Sequence, residues 1–135
     1  MFGTFGKSAT MIFDSDVLIW FFRGNTRAAA LVENEGFRSL SVVSYMEVLR
    51  GVRDKRELKT ILDLLRRFEF DIVPLSESIG ARAASFIEQF TLKSGLSVAD
   101  ALIAATAVHH GQTLCTANLR HFKIIPTLDV SVFRP

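Results

Sequence analysis

The segment Met11-Ile12-Phe13-Asp14-Ser15-Asp16-Val17-Leu18-Ile19 decides the fold prediction, because in it a buried strand passes into a helix around an aspartate. The apolar residues 11–13 predict a short buried strand. Val17 to Arg23 predicts a short helix that ends at Gly24. Asp14 directly follows the strand, where a carboxylate costs stability unless it faces a polar opening or meets a cation. Asp14 is therefore the first candidate for a functional residue.

Short apolar runs alternate with longer helical patterns along the rest of the chain. The patterns predict helices at 26–35, 44–50, 55–70, 76–93 and 97–110, and strands at 39–43, 70–73 and 113–116, with a last strand at 124–125 or 130–132. Strands separated by helices imply crossover connections and a mostly parallel sheet with helices on both faces. Ligands of such sheets bind beyond the carboxyl ends of the strands.

Composition limits the classes of protein that the chain can represent. Its 135 residues are 49% hydrophobic and 22% charged, which favours one domain with a real core and argues against disorder. We expect this domain to cover residues 10–135, after a flexible leader at residues 1–9. The single cysteine, Cys115, excludes an internal disulfide and a cysteine-based zinc site, and we expect it to be buried. No apolar run approaches the roughly 20 residues of a membrane span, so we expect a cytoplasmic protein.

Three further polar residues are predicted near the carboxyl edge of the sheet. Glu47 lies in the first turn of the helix after the second strand, and Asp100 lies in the first turn of the helix before the fourth strand. Asn118 follows the fourth strand. Clustered carboxylates repel each other unless a divalent cation neutralises them, and Mg²⁺ and Mn²⁺ prefer oxygen ligands. Asp14, Glu47 and Asp100 are therefore candidates for a metal site.

Helix capping is the alternative explanation for these acids. Ser44-Tyr45-Met46-Glu47 and Ser97-Val98-Ala99-Asp100 both fit the Ser-x-x-acid capping box, in which the acid bonds to a backbone N–H group. For each motif alone the cap is the favoured explanation, because such matches are common, and the two roles are compatible. Asp16 is interpreted as the N-cap of the first helix and as structural. Capping does not fully explain Asp14.

Four segments of the chain together resemble the PIN domain, and in particular the VapC-type toxins of bacterial toxin–antitoxin pairs. They are residues 11–19, residues 44–51 (Ser-Tyr-Met-Glu-Val-Leu-Arg-Gly), residues 96–105 (Leu-Ser-Val-Ala-Asp-Ala-Leu-Ile-Ala-Ala) and residues 114–122 (Leu-Cys-Thr-Ala-Asn-Leu-Arg-His-Phe). Each segment alone is weakly specific, whereas all four in this order and spacing are fairly specific. The resemblance covers residues 9–133.

The resemblance implies a three-layer α/β/α sandwich with an acidic pocket that holds Mg²⁺ or Mn²⁺. It implies an endoribonuclease that forms a homodimer and is inhibited by a cognate antitoxin. The family's metal ligands correspond to Asp14, Glu47 and Asp100, while Thr116 and Ser44 are expected to support the pocket. The family often has a fourth acid where this chain has Asn118, and this difference leaves open whether one or two metals bind.

Basic residues next to the predicted pocket suggest a surface that contacts phosphates. Arg50, Arg53 and Arg120 are the candidates for RNA binding, because they lie near Glu47 or Asn118 in the sequence. The alternative is a solvated helix face with local ion pairs such as Arg53–Glu57. The net charge of +2 does not decide between the two.

Three other functions compete with a metal-dependent ribonuclease. A non-catalytic PIN-like module that binds RNA or protein is favoured by Asn118. A haloacid-dehalogenase-type phosphatase would use Asp14 as nucleophile in Phe13-Asp14-Ser15-Asp16, but the chain lacks the later acidic pair and is short for that fold. A receiver-type phosphoacceptor domain needs an acid at the end of the third strand, where this chain has Pro74.

Overall fold

The computed structural model of the chain describes residues 11–135, and the expected leader at residues 1–9 lies outside them. The strands are β1 (Met11–Phe13), β2 (Ser39–Ser41), β3 (Asp71–Val73), β4 (Thr113–Thr116) and β5 (Val130–Val132). The helices are α1 (Ser15–Phe22), α2 (Thr26–Asn34), α3 (Val42–Arg50), α4 (Lys55–Arg67), α5 (Glu77–Ser94), α6 (Val98–His109) and α7 (Leu119–Phe122). None of the helices within these residues combines the length and apolar character of a membrane span.

The five strands form one sheet in the order β3-β2-β1-β4-β5, and every pairing is parallel. Phe13 at the end of β1 pairs with Leu40 of β2 and with Cys115 of β4. The Asp14 N–H donates to the Cys115 carbonyl oxygen at 2.9 Å, which extends the ladder by one bond beyond β1. The carboxyl ends of β1, β2 and β4 therefore meet at one edge of the sheet.

Alternate strand residues enter two separate hydrophobic cores, because successive side chains of a strand point to opposite faces. Ile12 and Leu114 pack in the core under α5, α6 and α7. Phe13 and Cys115 pack in the core under α1 to α4. The two cores give three layers, so the predicted α/β/α sandwich with a parallel sheet is confirmed. The prediction that Cys115 is buried is also confirmed.

The element bounds differ from the predicted ones by at most three residues, and helix α7 was not predicted. The differences that affect the site are at two helix starts. Helix α3 begins at Val42, and Ser41 is its N-cap, with its hydroxyl oxygen accepting from the Ser44 N–H at 3.0 Å. The capping box predicted for Ser44 and Glu47 is therefore wrong, since β2 is only three residues long and the helix starts two residues earlier. Ser97 does cap α6, and its hydroxyl oxygen accepts from the Asp100 N–H at 3.0 Å.

Helix α1 also starts earlier than predicted, and this changes the roles of two aspartates. Asp14 is the N-cap, with extended backbone angles, and its Oδ1 accepts from the Ser15 N–H at 2.8 Å. Asp16 lies inside the first turn, so its predicted role as N-cap is wrong. The Asp16 side chain is instead held by residues that follow β4.

Candidate active site

Asp14 lies at the centre of the candidate site and is fixed by two hydrogen bonds. It is only 5% exposed. Its Oδ1 accepts from the backbone of Ser15, and its Oδ2 accepts from the Thr116 hydroxyl at 2.8 Å. Thr116 is fully buried at the end of β4, the position that the parallel pairing sets beside Asp14. Its predicted place beside the pocket agrees with this geometry.

The environment of Asp14 disfavours its negative charge. Burial, followed by the charge of Asp16 and, more weakly, of Asp100, raises the pKa of Asp14 from its ordinary value of 3.8 to about 7. The hydrogen bonds from Thr116 and Ser15 act in the opposite direction but do not cancel these effects. Near neutral pH this carboxyl therefore takes up a proton readily, or needs a cation to stay ionised.

Glu47 reaches the same site from the third helix. The Ser15 hydroxyl donates to Glu47 Oε1 at 3.0 Å, so Ser15 links the start of α1 to the exposed carboxylate on α3. Partial burial by neighbouring residues, together with the charges of Asp100 and Asp16, raises the pKa of Glu47. Glu47 therefore belongs electrostatically to the same cluster as the aspartates.

Asp100 approaches from the first turn of α6, as predicted. Its charge raises the pKa of both Asp14 and Glu47, so Asp100 lies close enough to interact with them although it lies on a different element. Its Oδ2 lies 3.4 Å from Nδ1 of His121 on α7, an ion pair when the imidazole is protonated. Local sequence patterns do not predict this contact, because it joins two helices that are separated by a strand.

Asp16 forms the most extensive hydrogen-bond network of the cluster. Its Oδ2 accepts from the Asn118 side-chain amide at 2.8 Å, from the Ala117 N–H at 3.0 Å and from the Thr116 hydroxyl at 3.3 Å. Its Oδ1 is buried and has no hydrogen-bond partner. Burial raises the pKa of Asp16, although the nearby Val17 N–H and the bonds to Oδ2 counteract the effect. Ser15 and Asp16 were not among the predicted site residues.

The other predicted site residues are either buried at a helix start or exposed on the surface. Ser44 is fully buried and its hydrogen bonds run to Ser41, so it supports the start of α3. Arg50 and Arg120 are exposed on α3 and α7. Arg53 forms an exposed ion pair with Glu57 at 3.0 Å, as the local-pair alternative predicted.

The carboxylate oxygens of the site suit a hard divalent cation, although they do not form a complete coordination shell. Within residues 11–135, no three His, Cys, Asp or Glu side chains converge tightly enough to form a complete metal site. Mg²⁺ does not require one, since it usually binds through one or two carboxylates and keeps several waters. The charges of Asp16 and Asp100 raise the pKa of Asp14 and of Glu47, and Asp16 Oδ1 is a buried oxygen without a partner. Both observations fit a cation better than a purely structural cluster.

Comparisons with known proteins agree with this fold. The family model of the PIN domain matches residues 11–127. Ribonuclease VapC10 of Mycobacterium tuberculosis, found in strains CDC 1551 and H37Rv, is 32% identical over 124 residues, which cover 87% of this chain and 90% of the relative.

Solved structures give a similar result. A toxin–antitoxin complex from Klebsiella pneumoniae contains a chain with 28% identity and a TM-score of 0.76, covering 90% of this chain and 96% of that one. A chain in the structure of VapBC2 from Rickettsia felis bound to a promoter DNA fragment has a TM-score of 0.76 at 20% identity, covering 92% and 98%, and supports the fold alone.

The parallel sheet and the carboxylates at its carboxyl edge define an α/β protein with an acidic site. The chain belongs to the PIN domain family. This membership decides against the haloacid-dehalogenase and receiver interpretations.

Proposed function

We propose that this protein is a metal-dependent endoribonuclease that hydrolyses RNA phosphodiester bonds, and that it is the toxin of a toxin–antitoxin pair. The observation that carries the proposal is the meeting of Asp14, Glu47 and Asp100 at one edge of the sheet, where Asp100 raises the pKa of the other two. The similarity to a VapC ribonuclease over most of both chains supports it.

Asp14, Glu47 and Asp100 are the residues that we propose as ligands of Mg²⁺ or Mn²⁺. When bound, such a cation polarises a phosphate and lowers the pKa of a coordinated water, which makes that water a nucleophile at neutral pH. The chain's own contribution is to hold its acceptors rigidly. Ser15 and Thr116 fix both oxygens of Asp14, and the Ser15 hydroxyl also orients Glu47.

Basic side chains beside the acidic site are the proposed contacts to the RNA backbone. Arg50 lies one turn beyond Glu47 on α3, and Arg120 lies two residues beyond Asn118, both exposed. The ion pair of Arg53 with Glu57 is solvent-exposed, and such pairs contribute about 0–1 kcal/mol, so Arg53 also stays available to a phosphate. Phosphate contacts of this kind give affinity that falls with salt.

The proposed protein partners are a cognate antitoxin and a second copy of the chain. The relatives solved as toxin–antitoxin complexes support the antitoxin, and the homodimer follows from the resemblance to the VapC-type toxins. Co-expression with a candidate antitoxin, followed by light scattering of the purified complex and of the free chain, tests both partners.

RNA cleavage by the purified, metal-stripped protein tests the proposed function. Wild-type protein is incubated with total RNA and Mg²⁺ or Mn²⁺, beside an EDTA sample, Asp14→Asn and the control variant Asp129→Asn. Asp129 is an exposed aspartate at the amino end of β5, so its change leaves the site intact. We expect discrete fragments from wild type and Asp129→Asn only. Cleavage that persists in EDTA or in Asp14→Asn contradicts the proposal, and failure of every RNA to be cut favours a binding module.

A further inference from the structure

The Asp16–Asn118 contact suggests a division of roles at the end of β4. Asn118, at the position where an acid is often found in the family, donates its side-chain amide to Asp16 Oδ2 at 2.8 Å. The Ala117 N–H donates to the same oxygen at 3.0 Å. These bonds span about a hundred residues of sequence and hold the Asp16 carboxylate against the turn after β4. The amide at position 118 therefore acts as a donor to a neighbouring carboxylate.

The hydrogen bonds of Asp16 do not require a negatively charged side chain. All three donors use Oδ2, while Oδ1 is buried without a partner. An asparagine at position 16 would accept the same three bonds with its carbonyl oxygen. Leaving a buried acceptor unsatisfied costs about 1–3 kcal/mol, and more when the group is charged. A purely structural link between α1 and β4 thus gains nothing from a carboxylate here.

The position of Asp16 connects it to the other acids of the site. A single hydroxyl, that of Thr116, lies 2.8 Å from Asp14 Oδ2 and 3.3 Å from Asp16 Oδ2. One hydroxyl carries one hydrogen, so it cannot donate fully to both carboxylates at once. The two carboxylates therefore share this donor and lie next to each other, although Asp16 Oδ2 also has two further donors. Within residues 11–135, no Lys or Arg forms an ion pair with either aspartate.

We propose that Asp16 is the fourth carboxylate of the cation site, and that Asn118 is the positioning residue that holds it there. This inference rests on the proposed function, because it assigns a further residue to the same metal site. It places the fourth negative charge on α1 instead of on the residue after β4. The site then contains four carboxylates, although residue 118 is an amide.

Mn²⁺ binding to the metal-stripped full chain tests this inference without reliance on activity. The loss of the free-ion electron paramagnetic resonance signal gives the dissociation constant for wild type, Asp16→Asn, Asp14→Asn and the control Asp129→Asn. Changes in residues around a metal site weaken binding by roughly 10- to 100-fold, so we expect at least about tenfold weaker binding for Asp16→Asn. We expect no change for Asp129→Asn.

A charge-exchange variant separates the metal role from a structural one. In Asp16→Asn/Asn118→Asp the number of carboxylates is restored, with the fourth acid moved to the residue after β4. We expect this double variant to recover most of the Mn²⁺ affinity that Asp16→Asn loses. If Asp16→Asn fails to fold, the Mn²⁺ affinity of the double variant is compared directly with that of wild type.

The outcomes distinguish failure of this inference from failure of the proposed function. If Asp14→Asn loses Mn²⁺ binding while Asp16→Asn binds as tightly as Asp129→Asn, Asp16 is not part of the site. A structural role alone would leave the Mn²⁺ affinity of Asp16→Asn unchanged, whatever its stability in EDTA. If wild type binds no Mn²⁺, or Asp14→Asn binds it equally well, the metal site itself is wrong and this inference falls with it.

Discussion

Replacing Asp14 by asparagine should stabilise the metal-free protein at alkaline pH. The change keeps the shape of the side chain, and asparagine caps helices as well as aspartate does. Its carbonyl oxygen can accept from the Ser15 N–H, and its amide can donate to the Thr116 hydroxyl, which turns to accept. The change removes only the buried charge that burial and the neighbouring Asp16 make unfavourable.

The size of this effect follows from the pKa of Asp14. Folding raises that pKa from 3.8 to about 7. At ~1.4 kcal/mol for each pH unit, the difference corresponds to about 4 kcal/mol of lost stability once the pH exceeds 7. The folded chain holds the proton to higher pH than the unfolded chain, so the contribution of Asp14 to stability is fully present below pH 4 and is lost as pH rises to about 7. Asp14→Asn lacks this part of the pH dependence.

Urea unfolding in EDTA at pH 4 and at pH 8, followed by circular dichroism, measures the effect. We expect the variant and wild type to differ little at pH 4, and the variant to be more stable by up to about 4 kcal/mol at pH 8. With saturating Mn²⁺ the order should reverse, because only wild type gains stability from binding. A variant that is less stable than wild type in EDTA at pH 8 would refute the argument, since the charge of Asp14 would then be compensated within the protein.

Three further substitutions test the packing around the site. Thr116→Val keeps the volume but leaves Asp14 Oδ2 without its donor, so we expect a loss of about 1–3 kcal/mol in urea unfolding, with Thr116→Ser as the control that restores the hydroxyl. Leu65→Ala removes a fully buried side chain from the core under α4, and a loss below the usual 2–5 kcal/mol would show that this core is loosely packed. Arg53→Gln breaks an exposed ion pair, so unfolding should change by less than about 1 kcal/mol, while a weaker salt dependence of RNA binding would identify Arg53 as a phosphate contact.

Local sequence signals were sufficient for the elements that carry the site. The apolar run before Asp14 predicted β1, and Thr113–Thr116 was predicted with the bounds of β4. Parallel pairing then brings Asp14 and Thr116 together, because the carboxyl ends of neighbouring strands share an edge. Ser97 and Asp100 were also placed correctly, since the cap and the acid lie three residues apart on one helix.

Two features could not be predicted from local patterns, because they depend on the length of a strand or on contacts between distant segments. Ser41 and Ser44 are equally good caps by residue type, and only the three-residue length of β2 decides for Ser41. The interpretation of Asp16 as a cap failed because its partners, Ala117 and Asn118, come from the far end of the chain. Spacing along the sequence carries no record of such a bond.

The location of bound Mn²⁺ in crystals of the metal-soaked protein tests the central claim most directly. Anomalous scattering identifies the ion independently of any assumption about its ligands. We expect a peak at the carboxyl edge of the sheet, about 2 Å from an oxygen of Asp14 and within the cluster that includes Glu47 and Asp100. A peak elsewhere on the surface, or the absence of a peak at this edge when Asp14 is ionised, would contradict the assignment of these carboxylates as a metal site.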